Sequence, residues 1–301
     1  MMPTFQTDII EARNFLYQLL VRQVDEKAKN WIEQKIHLLA NSFSTQNFYI
    51  AFTSAPRFVG KQNLHLSPME ESEANAIRKG FTLKNWTIDR TTRILFVLYL
   101  PTENAENHVS ILSKVFQTAE VNELVALYAA LPLLPFPEKY IYQCTEGIRT
   151  NMAPVFEAVA LNNPFPAEFL DENAWNQLFL KAIFTGKKIY QIQGIKQRAN
   201  ATLAQICSDF AHERWAAGRK VTPELWMPVV HFINDTILKD LEKLKESNDI
   251  LQRQALVLVC LESSHAQVKE LLTGMEDLKE KALKGEFSWE SISEQWHEAN
   301  Q

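Results

Sequence analysis

Glycine is scarce in this chain: eight positions in 301, where a share of about 7% is usual. Glycine supplies the positive-φ positions of tight turns and the points where backbones approach closely. The shortage therefore argues against jelly rolls, propellers and dinucleotide-binding sheets, and for a mainly helical protein. The punctuation of helices is present instead. Ser67-Pro68-Met69-Glu70 sets a capping serine before a proline at the first helical position and a glutamate that completes a capping box, and Thr222-Pro223-Glu224 repeats that order. Thr118 precedes a run in which Val121, Leu124, Val125, Tyr128 and Leu131 share one helical face until Pro132 stops it. Asp171 precedes ENAWNQLFLKAIF, which turns Trp175, Leu178, Phe179, Ala182 and Ile183 inward, and Gly186 follows as a terminator.

Two stretches, residues 48–52 and 91–100, are rich in aromatic and β-branched residues, which suits a buried strand or a helix buried all round. No matching alternating runs occur elsewhere to pair with them, and an isolated hairpin is marginal, so both are read as helices. From Thr236 onward the chain holds 8 basic and 13 acidic residues, leaving residues 1–235 neutral overall. Within that acidic part, NDILQRQALVLVCLESSHAQVKELLTGM reads as two amphipathic helices joined near Ser263 and Ser264, similar to one hairpin of a HEAT or armadillo array. Trp289, Ile292 and Trp296 fall on one stripe that is expected to dock on the body. The expected architecture is all-α, an α-solenoid of HEAT-like, right-handed stacked helical hairpins, with a main domain over 1–235 and an acidic helical extension over 236–301.

A net charge of −5 and a pI near 5.9 provide no global field for polyanions, so nucleic acid is not an expected partner. Cys144, Cys207 and Cys260 are too widely spaced for a disulfide framework or a CxxC metal pair, which points to reduced thiols and a cytoplasmic location. The opening MMPTFQTDIIEARNF lacks the parts of a secretion signal. The longest uncharged apolar stretch, 124–137, has 14 residues interrupted by prolines, short of the roughly 20 a spanning helix needs. No stable membrane insertion is expected.

Searching for catalytic patterns decides more by what fails. His212-Glu213-Arg214-Trp215-Ala216 opens like a zinc-protease helix, but Ala216 stands where a second histidine would complete the site. There is no GxSxG elbow, no GxxxxGK[ST] loop and no GxGxxG. The seven histidines show no metal-ligand spacing, so neither metal nor cofactor is expected. On a helical wheel His212 faces away from the apolar stripe, towards solvent or a neighbouring groove. Arg214 falls in the middle of that stripe, where a guanidinium needs a carboxylate, with Glu146, Glu157, Asp171, Glu213 and Glu224 as the candidates. The result is either an internal ion pair bracing helices or an anion site.

A second polar knot surrounds Asn151, which can cap a helix carrying Met152, Val155, Phe156 and Val159 inward, with Pro154 in its first turn. Glu146 and Arg149 flank the positive end of that helix, where free backbone N–H groups can hold a polar or anionic group. Asn162, Asn163, Phe165, Trp175, Asn176, Trp215 and Trp226 together supply the amides and π faces of a pocket for a planar, partly polar molecule, although each is also suited to core packing.

The strings AFTSAPRFVGK (51–61), KVFQTAEVNELVALYAALPLLPFPE (114–138), EGIRTNMAPVFEAVALNNPFP (146–166), AWNQLFLKAIF (174–184), IQGIKQRAN (192–200) and AHERWAAGRKVTPELW (211–226) occur in order. Together they resemble the EboA-domain family over roughly residues 5–235. The resemblance implies a bacterial protein encoded with a UbiA-like prenyltransferase, TIM-barrel proteins and a dehydroquinate-synthase-like enzyme, which moves a secondary metabolite or its precursor towards the periplasm. It brings no catalytic residues with it.

The reading that follows is a non-enzymatic adaptor for a small aromatic or prenylated metabolite or for companion proteins of the same gene cluster. Its groove is expected to use Glu146, Arg149, Asn151, Asn176 and Arg198, together with His212, Glu213 and Arg214 beside Trp175 and Trp215. The alternatives are a general acid–base enzyme, with Glu146 or Glu213 and His212 as proton carriers, and a pure protein-docking scaffold.

Overall fold

The computed structural model describes residues 7–300. The first six residues of the segment read against a secretion signal lie outside that range. Among the described residues the chain is all-α, and its extended backbone pairs only at an isolated bridge between Asn63 and Thr87. Among the described residues no helix is long and apolar enough to cross a membrane. The chain divides into two compact units, Met1–Leu170 and Asp171–Gln301.

The first unit contains α1 (Ile9–Val21), α2 (Glu26–Asn41), α3 (Thr45–Val59), α4 (Pro68–Ile77), α5 (Ile88–Val97), α6 (Ala105–Thr118), α7 (Val121–Ala130), α8 (Ile141–Arg149), α9 (Ala153–Ala160) and the short α10 (Phe165–Phe169). Side-chain caps set most of the starts. Asp8, Asp25, Ser44, Thr87 and Asn104 each accept from a backbone N–H in the first turn of the helix they precede. The Ser67–Glu70 capping box forms as its sequence indicates. α5 is the centre of this unit, packed against α1, α2, α3 and α7. Its residues 91–97 are all buried, which explains why TTRILFV reads equally well as a strand: a helix covered on every side has no polar face to reveal its period.

The charge inside that central helix is neutralised locally. Arg93, 1% exposed, donates from Nη1 to Asp89 Oδ2 at 3.1 Å and from Nε to the Phe52 carbonyl at 3.1 Å. A second buried guanidinium, Arg78, donates to the Pro132 carbonyl and pairs with Glu168. Pro132 ends α7 in a short 3-10 turn, Leu131–Leu133, and its carbonyl also accepts from the Thr7 hydroxyl. The start of α7 is corrected by two residues. Its N-cap is Glu120, in a capping box with Glu123, while Thr118 belongs to the last turn of α6.

The second unit contains α11 (Glu172–Phe184), α12 (Ile195–Arg198), α13 (Ala201–Ala216), α14 (Asp235–Lys245), α15 (Ile250–Glu262), α16 (Ala266–Glu270), α17 (Glu276–Leu283) and α18 (Trp289–Ala299). α11 begins after Asp171, and the five residues expected inward are buried. α15 and α16 meet at Ser263, as the two-helix reading expects. α18 docks on α15 and on two 3-10 segments, Ile189–Gln191 and Pro223–Val229; Trp289 Nε1 donates to Glu262. The segment after Thr222 is not the capped α-helix expected from its sequence. Pro223 and Pro228 lie within seven residues, so a continuous α ladder cannot form, and the chain runs as a fully buried 3-10 helix without a side-chain cap.

Candidate functional site

The expected site residues divide between the two units. In the first, Glu146 and Arg149 sit on the exposed end of α8 and pair at 3.2 Å. Arg149 lies in the last turn, where a cation complements the helix dipole. Asn151 is exposed in the bend that follows and does not cap α9. Met152 is the N-cap residue there, and the Thr150 hydroxyl accepts from its N–H.

In the second unit, Asn176 is buried and exchanges hydrogen bonds with Asn200, Nδ2 to Oδ1 at 3.3 Å one way and 2.9 Å the other. Asn200 caps α13 through Leu203 N, so Asn176 ties α11 to the start of α13. The Arg198 guanidinium lies 5.2 Å from the ring centroid of the fully buried Trp175. Burial lowers its pKa, opposed by Asp171 and Glu172. His212 is half exposed, and its Nε2 lies 2.6 Å from Oδ1 of Asp240, whose Oδ2 accepts from the buried Ser208 hydroxyl at 2.6 Å. The carboxylate stands between serine and histidine, so the Ser208 hydroxyl donates its hydrogen bond to Asp240 and not to His212, and no serine–histidine relay is formed. Trp215 stacks on Trp226 with centroids 6.0 Å apart and carries Lys243 Nζ 3.9 Å from its ring centroid.

Arg214 departs from its expected setting. It is half-buried, its Nε donates to the Lys220 carbonyl at 3.0 Å, and among the described residues of this unit no carboxylate pairs with it. The wheel placed Arg214 inside the stripe, but it sits in the last turn of α13, where the helix emerges to solvent at Ala216 and Ala217.

Arg214 and Glu213 instead line a cavity of about 730 Å³, within the range usual for small-molecule sites. Helix endings build its basic side. α11 and α13 each stop at a glycine in left-handed backbone, Gly186 at φ 62° and Gly218 at φ 65°. In each case the next residue's N–H reaches back five positions, Lys187 to Ala182 and Arg219 to Arg214, both at 2.8 Å. These matching Schellman turns bring Lys187 and Arg219 to the cavity wall, and Lys220 follows. Phe184 and Phe210 meet edge to face at 5.1 Å and supply apolar lining, to which α18 adds Trp296, His297 and Asn300. Behind His297, the wholly buried Glu224 accepts from Tyr190 N at 2.6 Å, and its other oxygen lies 3.5 Å from His297 Nε2.

Of the residues expected at a site, the structure thus brings Glu213 and Arg214 to this cavity. Trp175, Asn176, Arg198, His212 and Trp215 stand elsewhere in the same unit. Sequence reasoning missed Lys187, Arg219, Lys220, Trp296 and His297. The Gly-Lys and Gly-Arg-Lys pairs after two predicted helices were the available signal.

Among the described residues no three His, Cys, Asp or Glu side chains group as metal ligands would. Neither the curated proteins nor the solved structures contain a match to the chain. Residues 12–230, well over half of the chain, match the family described as "Metabolite traffic protein EboA", and the chain belongs to that family.

Proposed function

We propose that this chain is a non-enzymatic carrier or adaptor that holds a small aromatic or prenylated metabolite during its traffic, with the cavity beside α11, α13 and α18 as the holding place. The observation that carries this reading is the cavity itself. A space of about 730 Å³ joins aromatic lining, from Phe184, Phe210 and Trp296, to a group of polar and charged side chains. That is the composition of a site that buries an apolar body and orients it by a few polar contacts.

Three free and buried cysteines support work in a reducing, cytoplasmic setting. Residues 236–301 lie beyond the matched span, which supports treating them as an extension of the family's core, and α18 within them contributes to the cavity. The succession α3–α5–α7–α9, each packed on the next, supports a stack of helical hairpins in the first unit. A second reading, general acid–base catalysis, rests on the His212–Asp240 contact. It is weaker because His212 is not among the cavity-lining residues.

The test is native mass spectrometry of the protein purified from its natural host, with a thermal-shift screen of host extract. A ligand that binds only the folded state raises the unfolding temperature with its occupancy. The expected result is a retained small molecule that is lost in Trp296→Ala while the fold persists. A chain that carries no small molecule from its host and gains no stability from the extract overturns the carrier reading. Turnover of the retained molecule, abolished by His212→Ala, establishes the enzymatic one.

A further inference from the structure

We infer that the cavity selects its ligand by a hydroxyl group, which donates to His297 Nδ1, with Glu224 as the positioning residue behind the imidazole. This rests on the reading of the cavity as the holding place and names the polar group of its ligand: a phenol or alcohol on an aromatic body.

His297 lines the cavity from the last turn of α18. Its Nε2 is enclosed and lies 3.5 Å from Oε2 of Glu224. Neither atom has a hydrogen-bond partner elsewhere among the described residues, so the two are left to each other. Glu224 is 0% exposed, its Oε1 is taken by the Tyr190 N–H at 2.6 Å, and it belongs to the 3-10 segment on which α18 packs. The carboxylate is therefore held in place behind the ring. A carboxylate only accepts hydrogen bonds, so the ring hydrogen belongs on Nε2 and Nδ1 keeps a lone pair.

The His297 side chain is 16% exposed. With Nε2 enclosed, that exposure falls on the rest of the ring, where Nδ1 makes no hydrogen bond among the described residues. An aimed acceptor beside apolar lining calls for a donor on the ligand. A hydroxyl supplies one and stays neutral, so it enters without the desolvation cost of a charge. Trp296, next to His297 in the chain, and the edge-to-face pair of Phe184 and Phe210 then cover the aromatic body. An ether or hydrocarbon of the same shape would take water from Nδ1 and return no hydrogen bond.

The experiment titrates the full chain with 2-naphthol, 2-methoxynaphthalene and naphthalene by calorimetry. 2-Naphthol is expected to bind about tenfold tighter than the other two, because only it donates to Nδ1. His297→Phe alone would strand the buried carboxylate, so the imidazole is removed in the double variant Glu224→Gln/His297→Phe, which is expected to bind the three probes alike. Glu224→Gln alone keeps an acceptor for the Tyr190 N–H and offers an amide donor to Nε2, which moves the ring hydrogen to Nδ1. The preference of 2-naphthol over 2-methoxynaphthalene is then expected to fall severalfold, since Nδ1 now donates and an ether oxygen accepts, while naphthalene binds as before. A change of packing alone would shift all three probes together. Equal affinities for the three probes in the parent chain overturn the hydroxyl inference, as does a naphthol preference that survives in the double variant. Absence of saturable binding by any probe also overturns it, while retention of a host metabolite continues to test the carrier reading separately.

Discussion

Arg214 Nε donates to the carbonyl oxygen of Lys220 across 3.0 Å, so its guanidinium is steadied by backbone six residues ahead and not by a carboxylate. A half-exposed charge–carbonyl bond of this kind contributes about 1–2 kcal/mol at most. Arg214→Gln is therefore expected to lower unfolding free energy by no more than that, measured by urea denaturation. A buried, carboxylate-paired arginine would cost roughly 3–5 kcal/mol on losing its partner. A loss in that range would restore the internal ion pair expected from the sequence.

Gly147 sits inside α8 because α7 runs too close for a side chain. A Cβ built there would stand 2.5 Å from Tyr128 Cε1, well inside contact distance, against an edge of a ring in the core. Burial also pushes the Tyr128 phenol up to about 12, so that ring is held in apolar surroundings. Gly147→Ala is expected to destabilise the protein by about 1–3 kcal/mol through overpacking, despite the better helix propensity of alanine. Gly147→Ala combined with Tyr128→Leu should recover part of the loss. If Gly147→Ala alone stabilises the chain, the close approach is wrong.

How far each feature could be read from the sequence depended on whether its cause was local. α11 was legible from Asp171 to Gly186 because its cap, its stripe and its stop are all written within its own residues. The class of α5 followed only from the lack of pairing strands, since burial on every face erases periodicity. The cavity was less accessible. Arg219 and Lys220 lie in a connection, where wheels carry no information, and Asn300 meets Lys220 from 80 residues further on. Asn176 and Asn200 illustrate the same limit: both were polar positions in helical contexts, but nothing local says that one amide is the partner of the other's cap.

His108 makes the first unit acid-sensitive. It is 1% exposed, its Nδ1 lies 2.9 Å from the Pro101 carbonyl as a donor, and its Nε2 is buried without a partner. Burial depresses its pKa below the ordinary 6.5, with the Pro101 bond opposing. Between the depressed value and 6.5 the unfolded chain binds more protons than the folded one, so stability is complete above 6.5 and falls as pH drops through that window. Denaturation midpoints taken from neutral to mildly acid pH should show a shallower decline in His108→Phe than in the parent chain. Identical slopes would show that the imidazole titrates alike in both states.

Asp240 joins α14 to α13 through two short contacts, accepting from Ser208 at 2.6 Å and meeting His212 Nε2 at 2.6 Å. The contacts differ in burial: Ser208 is fully buried, while the His212 side chain is 48% exposed. Removing the carboxylate strands the serine hydroxyl away from water, a loss of about 1–3 kcal/mol, whereas removing the imidazole leaves a carboxylate still bonded to Ser208. Asp240→Ala is accordingly expected to destabilise the chain more than His212→Ala, with Ser208→Ala recovering part of the Asp240→Ala loss, since it takes the unmet hydroxyl away. Urea denaturation of the two single variants and the Ser208→Ala/Asp240→Ala double variant measures this coupling. Equal losses in His212→Ala and Asp240→Ala, with no recovery in the double variant, would move the weight of the contact onto the histidine and strengthen its candidacy as a proton carrier.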